Sequence, residues 1–211
     1  VATNANGAPG IAVLDYGIGN LRSAEKALQH LGAPARLVDD PDVARRASAV
    51  VLPGVGAFGP CMDALRASGL EPVVRDAVDA GKPFLGVCIG MQMLFDESDE
   101  ASDVKGLGII RGGVRRLPKG VKIPHMGWNT VAVSEGSGLF AGLGDAPWLY
   151  FVHSFAPDPA DSAVVAGVTE YGGPICAAVE QGSVWATQFH PEKSSDVGLA
   201  VLANFVRASG F

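Results

Sequence analysis

The amino-acid sequence predicts an α/β fold: a single domain built on an open, mostly parallel sheet flanked by helices, with an antiparallel β extension. Three features predict it. Short apolar runs alternate with amphipathic stretches through the first half of the chain, the pattern of strand–helix units that build parallel sheets. Those runs are apolar almost without interruption, as strands covered on both faces must be. Beyond Gly106 the pattern gives way to β-rich runs joined by Gly and Pro turns.

Taken in order, the sequence predicts a first buried strand over Ile11–Asp15 and a helix over Asn20–Leu31. Leu21, Ala24, Leu28 and Leu31 share one face of that helix, and Gly32 stops it. Further strands are expected at Ala35–Val38, Ala49–Leu52 and Pro83–Val87, with helical segments near Pro60–Ser68 and Glu71–Ala80. In the second half the β candidates are Lys122–Val133, Trp148–Phe155, Ala163–Val168, Ile175–Val179 and Val184–Gln188. Asp196–Ser209 closes the chain as a helix with Val197, Val201 and Phe205 on one face. No linker or repeat divides residues 11–211, so one domain is expected there, after a flexible extension over residues 1–10.

With 211 residues, 48% of them apolar and 18% charged, the chain can bury a full core and is not disordered as a whole. No apolar run approaches the roughly 20 residues of a membrane span. The opening VATNANGAPG lacks the basic and apolar regions of a signal peptide. Net charge is −6 and the basic residues are scattered, Arg45-Arg46 and Arg115-Arg116 being isolated pairs. Without a concentrated basic face, nucleic acid is not an expected partner. Cys61, Cys88 and Cys176 show no metal-type spacing and are expected to be reduced thiols in the cytoplasm. Neither a metal nor a cofactor is expected.

The sharpest motif is Pro83-Phe84-Leu85-Gly86-Val87-Cys88-Ile89-Gly90-Met91-Gln92: an apolar strand, then G-x-C-x-G, then a short helix-forming run. A nucleophile on a sharp strand-to-helix turn needs small neighbours, which Gly86 and Gly90 supply. The turn is expected to place Cys88 at a helix N-terminus, where the dipole and free N–H groups favour thiolate. The N–H of Ile89 then points where an oxyanion forms. A buried structural cysteine is the alternative reading of the motif alone.

Gln188-Phe189-His190-Pro191-Glu192-Lys193-Ser194 supplies a base and its orienter. Pro191 disfavours helix at His190. In an extended segment His190 and Glu192 point to the same side, so the carboxylate fixes the imidazole's tautomer and stabilises its charged form. His30, His125 and His153 read as structural or interfacial. Pro53-Gly54-Val55-Gly56-Ala57-Phe58-Gly59 holds a formal G-x-G-x-x-G, with Asp79 twenty residues on. It follows the third strand rather than opening the fold, which argues against a dinucleotide site. The other reading is an oxyanion loop: glycines flanking Val55 let its peptide rotate cheaply, and a backbone N–H there completes an oxyanion hole with Ile89.

These motifs resemble the class I (triad-type) glutamine amidotransferases, and within them the glutaminase subunits of imidazole glycerol phosphate synthase. Asp15-Tyr16-Gly17-Ile18-Gly19-Asn20-Leu21, Pro53–Phe58, Pro124-His125-Met126-Gly127-Trp128-Asn129, Tyr150-Phe151-Val152-His153-Ser154 and Phe189–Ser194 carry the more specific resemblance, which spans about residues 11–208. It implies a flavodoxin-like sheet and hydrolysis of glutamine to glutamate and ammonia. The ammonia is passed, in a heterodimer, to a (β/α)8-barrel cyclase that makes imidazole glycerol phosphate and aminoimidazole carboxamide ribotide in histidine biosynthesis. It also implies Cys88 as nucleophile, His190 as acid/base and Glu192 as orienter, with Val55, Gly56 and Ile89 at the oxyanion hole. Gly54, Gly56, Gln92, Ser154 and Phe155 then hold glutamine, while Asn20, Met126, Trp128 and Lys193 face the cyclase. Phe155 stands where tyrosine is common, and Ala57 where a larger polar residue often sits. Rival readings are a class I glutaminase of pyridoxal phosphate or purine synthesis, and a non-catalytic regulatory relative.

Overall fold

The computed structural model describes residues 9–211. Pro9 and Gly10 fall inside the expected extension yet are buried, and the Gly10 carbonyl accepts from Ser48 and Ala49 N–H at 3.0 and 3.1 Å. The rest of that expectation, residues 1–8, lies outside the described residues.

The first half runs β1 (Ile11–Leu14), α1 (Leu21–His30), β2 (Ala35–Val38), α2 (Pro41–Arg45), β3 (Ala49–Gly54), α3 (Phe58–Ala67), α4 (Glu71–Asp79), β4 (Phe84–Cys88) and α5 (Ile89–Gln92). The second half adds β5 (Glu97–Ser98), β6 (Gly112–Arg116), β7 (His125–Thr130), β8 (Ala132–Val133), β9 (Trp148–His153), β10 (Phe155–Pro159), β11 (Val165–Glu170), β12 (Pro174–Gln181), β13 (Val184–Thr187) and α6 (Ser195–Ala208). The main sheet has the order β2-β1-β3-β4-β13-β12-β11-β8. Its first five strands are parallel and the remainder antiparallel. The antiparallel extension is therefore partly a continuation of the main sheet. The rest of it forms two small separate sheets, β10-β6-β5 and β7-β9.

Local chemistry explains most boundaries. β1, β3 and β4 are buried at every position, which gives their unbroken apolar runs. α1 buries Leu21, Ala24 and Leu28 and stops at Gly32, whose φ of +80° suits a residue without a Cβ. The sequence pattern does not announce α2, yet its cap is well formed: the Asp40 carboxylate accepts from Asp42 and Val43 N–H at 2.8 and 3.3 Å, with Pro41 at the first helical position. Nor does it announce β5 and β6, where Arg115 pairs with Asp99 at 2.9 Å and Glu97 at 3.2 Å on the outer face. Among the described residues no helix is long and apolar enough to cross a membrane.

The pairing of β4 with β13 positions the site. The two strands are adjacent and parallel, with Ala186 opposite Gly86 and Thr187 opposite Val87. Their carboxyl ends therefore reach the same sheet edge, where open α/β sheets carry their sites. Residues a hundred positions apart are neighbours there.

Candidate active site

Cys88 ends β4 at φ +56° and ψ −110°, a conformation that costs a non-glycine residue about 1–3 kcal/mol. The surrounding glycines make the bend possible by close approach. A Cβ on Gly90 would stand 1.8 Å from the Leu52 carbonyl oxygen, and one on Gly86 would stand 2.9 Å from the Gly90 oxygen. α5 is a single four-residue turn. The helix dipole expected at Cys88 is correspondingly small, since a macrodipole sums over aligned peptides. The sulfur's surroundings are set by side chains instead.

His190 follows β13 in an extended conformation (φ −100°, ψ 97°), as Pro191 requires. The chain then turns through a 3-10 segment, Pro191–Lys193, rather than continuing extended. The carboxylate meets the ring across this turn: Glu192 Oε1 lies 2.9 Å from His190 Nδ1, with both side chains under 5% exposed. The two side chains thus meet across a turn, not along the extended segment that the sequence suggests. Backbone contacts hold the turn against β9. His190 N–H donates to the Tyr150 carbonyl at 3.0 Å. Ser194 Oγ donates to the His190 carbonyl at 2.7 Å and accepts from Tyr150 N–H at 2.9 Å.

With Nδ1 committed to Glu192, His190 Nε2 is left buried and without a hydrogen-bond partner, sharing one cleft with Cys88. Burial pushes the imidazole's pKa down, but its interactions with Cys88 and Glu192 outweigh that and raise it to about 9. By contrast, burial pushes the thiols of Cys61 and Cys176 up to about 11 and about 12. Neither of those sulfurs lines the cleft.

The cleft has a volume of about 470 Å³. It gathers Val55, Gly56, Cys88, Ile89, Gln92, Ser154, Phe155 and His190 from the predicted site, with Asn20 and Lys193 of the predicted interface at the same opening. Gly54 and Glu192 lie beside a smaller adjoining cavity. Phe155 presents its main chain to the site, its carbonyl accepting from Gln92 Nε2 at 3.0 Å and facing His153 Nδ1 at 2.9 Å. Its ring sits under the Arg116 guanidinium. Met126 and Trp128 are not in the cleft. They stand on the outer face of the β7–β9 ribbon, 62% and 49% exposed, beside Trp148 at 58%, which no sequence motif singles out.

The glycine loop is not a dinucleotide site: Gly59 lies inside α3, and Asp79 ends α4. Its two inner glycines have different reasons. Gly56 has φ +101°, whereas a Cβ on Gly54 would stand 2.9 Å from Ile89 Cβ and from Gly90 N. Gly54 therefore serves packing rather than rotation, a correction to the expected freedom on both sides of Val55. The Val55 carbonyl accepts from Cys61 Sγ at 3.4 Å, and Tyr16 Oη donates to the Pro53 carbonyl at 2.7 Å.

Three features in or beside the cleft escape a reading of the sequence. Glu100 brings a carboxylate to the cleft while accepting from Phe58 N–H at 2.7 Å. His153 lines the cleft and pairs with His125, Nε2 to Nδ1, at 2.9 Å. Burial lowers the pKa of both rings, that of His153 to about 4. Gln188 is fully buried against Cys88 and Gln92. For Gln188 alone a signal exists, its place two residues before His190.

Residues 12–208 match the model of the glutamine amidotransferase class-I family. The imidazole glycerol phosphate synthase subunit HisH of Syntrophotalea carbinolica is 49% identical, with 92% of this chain and 98% of that protein covered. Its counterpart from Methylococcus capsulatus is 51% identical, with 93% and 95% covered. The one from Methanothermobacter thermautotrophicus is 49% identical, with 93% and 97% covered. Among solved structures, one described as a glutamine amidotransferase superposes with a TM-score of 0.76 at 25% identity, covering 96% of this chain and all of that one. The glutaminase domain of Trypanosoma brucei CTPS shares the fold, with a TM-score of 0.69 at 16% identity over 95% of this chain and 93% of that one.

Proposed function

The chain belongs to the class I glutamine amidotransferases, and from that premise we propose how its residues divide the work of glutamine hydrolysis within imidazole glycerol phosphate synthase, an enzyme of histidine biosynthesis. Cys88 is the nucleophile. His190 takes its proton through Nε2, and the thiolate attacks the side-chain amide carbon of glutamine. The tetrahedral oxyanion is met by the Ile89 N–H and by a backbone N–H of the Val55–Gly56 loop, each such donor being worth about 3–4 kcal/mol. His190 then protonates the departing ammonia, leaving a glutamyl thioester. Water, deprotonated by His190, attacks the thioester, and glutamate leaves as the thiol is restored. Glu192 holds the ring and stabilises its charged form throughout.

The observation that carries this reading is the pairing at the sheet edge. A cysteine held at positive φ faces an imidazole whose outer nitrogen is unsatisfied and whose inner nitrogen is fixed by a buried carboxylate. The substrate is a zwitterion, and the cleft suits one. Glu100 faces its ammonium, while Gln92 offers a buried side-chain oxygen that has no partner. Gly56, Ser154 and the main chain of Phe155 complete the grip.

The partner is a (β/α)8-barrel cyclase in a heterodimer, working in the cytoplasm. Support comes from the β7–β9 ribbon, whose exposed Met126, Trp128 and Trp148 form an apolar face of the kind interfaces cover. Asn20 and Lys193, which line the cleft, are assigned to the same junction. Ammonia released into water is protonated, so a sealed junction preserves its reactivity. Since β9 also holds the His190 turn through Tyr150, docking acts on the ribbon that positions the base. A glutaminase assay with and without the cyclase and its nucleotide tests the reading. Activity should be slow alone, rise strongly in the complex and vanish in Cys88→Ala. Equal rates with and without the partner would remove the coupling.

A further inference from the structure

Gln188 lies one residue beyond the last registered pair of β13 with β4, and so stands beside Cys88 at the sheet edge. It is fully buried. Its Nε2 is 3.6 Å from Cys88 Sγ, and its Oε1 is 2.9 Å from Gln92 Nε2. An amide can be turned either way, so the polarity of this chain has to be fixed by a group with only one role. Here that group is the Phe155 carbonyl, which can only accept. It takes one hydrogen from Gln92 Nε2 at 3.0 Å. The Gln92 NH2 group must therefore face that way, and its second hydrogen goes to Gln188 Oε1. Turning Gln188 over would set NH2 against NH2. Gln188 consequently aims a donor at the sulfur.

This polarity acts at two places. A donor on sulfur favours thiolate over thiol, as hydrogen bonding to a charged form does. Both hydrogens of Gln92 are also spent on the scaffold, which leaves its Oε1 buried and unpartnered in a residue that lines the cleft. One buried amide thus contacts the nucleophile's sulfur and fixes the orientation of the Gln92 amide together. We infer that Gln188 is a positioning residue of the glutaminase, donating to the Cys88 thiolate and locking the Gln92 amide with its oxygen toward substrate. The inference rests on Cys88 being the nucleophile. Gln188 itself touches no substrate.

Gln188→Leu removes both contacts with little change of volume, and Gln188→Met serves if the leucine variant does not fold. Alkylation of the full chain by iodoacetamide across a pH series, read at Cys88 by peptide mass spectrometry, reports the thiolate without glutamine. Losing a hydrogen bond to an anion should raise the midpoint by about one pH unit, making alkylation ~10-fold slower at neutral pH. In the complex with cyclase, KM for glutamine should also rise, as the Gln92 amide is freed to turn. A purely structural Gln188 would change thermal stability and leave the midpoint where it was. A folded variant with an unmoved midpoint and an unchanged KM overturns the inference. Wild-type Cys88 that resists alkylation at every pH overturns the nucleophile reading beneath it as well, so the two failures are told apart.

Discussion

Replacing Glu192 with glutamine should cost turnover without costing substrate affinity. Glu192 Oε1 holds His190 Nδ1 at 2.9 Å, while Oε2 is buried with no partner. A glutamine side chain can keep an oxygen toward Nδ1 and place its NH2 in the unpartnered position, so shape and tautomer survive and only charge is lost. The size of that charge effect comes from the ring. His190 is raised from an ordinary 6.5 to about 9, a gap worth about 3 kcal/mol at ~1.4 kcal/mol per pKa unit. Cys88 and Glu192 are its two supports. Losing the charge of one of those supports should slow kcat by roughly tenfold or more, as for loss of one charge-assisted hydrogen bond. KM for glutamine should stay within about twofold, because Glu192 does not line the cleft. Steady-state glutamate release from the complex with cyclase measures both constants. An unchanged kcat, or a loss carried by KM, would refute the assignment of Glu192 as orienter.

Gly90→Ala should destabilise by several kcal/mol, since its Cβ would lie 1.8 Å from a backbone oxygen of β3 that cannot move aside. A melting temperature lowered by less than about 5 °C would contradict that packing. The stability of the wild type should fall with rising pH. The folded pKa of His190, about 9, exceeds the ordinary 6.5, so its contribution is complete below pH 6.5 and is lost as pH climbs through 9. His190→Gln should flatten that limb in thermal melts between pH 6.5 and 10, and an identical slope in both proteins would exclude it. Glu100→Gln should raise KM for glutamine by roughly tenfold or more, as for loss of one charge-assisted contact, with kcat little affected. A lowered kcat at unchanged KM would place Glu100 elsewhere in the mechanism.

What the sequence made legible divides along physical lines. Strands β1, β3 and β4 were readable because burial on both faces leaves an unbroken apolar run. The Cys88 bend was readable because two glycines bracket it, and each proves necessary for backbone contact. His190 and Glu192 were legible as a pair through Pro191, although the turn that joins them is tighter than an extended chain. Gln188 and Glu100 were not legible as parts of the site. Glu100 carries no local mark and Gln188 only its place two residues before His190; their positions arise from the β4–β13 register and from a loop that returns to cap α3. The short strands β5 and β6 escaped for a related reason, since charge pairs across Arg115 hold them with little apolar pattern to read. The exposed apolar face of the β7–β9 ribbon was half-legible: Trp128 and Met126 came from a motif, but Trp148 joins them only by cross-strand placement.

Glutamine hydrolysis by this chain requires that the sulfur of Cys88 form the covalent bond to substrate. Incubating the complex with an electrophilic glutamine analogue and mapping the adduct by peptide mass spectrometry tests that bond directly. One adduct on Cys88, blocked by excess glutamine and lost in Cys88→Ala, is the predicted result. Labelling of Cys61 or Cys176, or equal labelling of the Cys88→Ala protein, would contradict it.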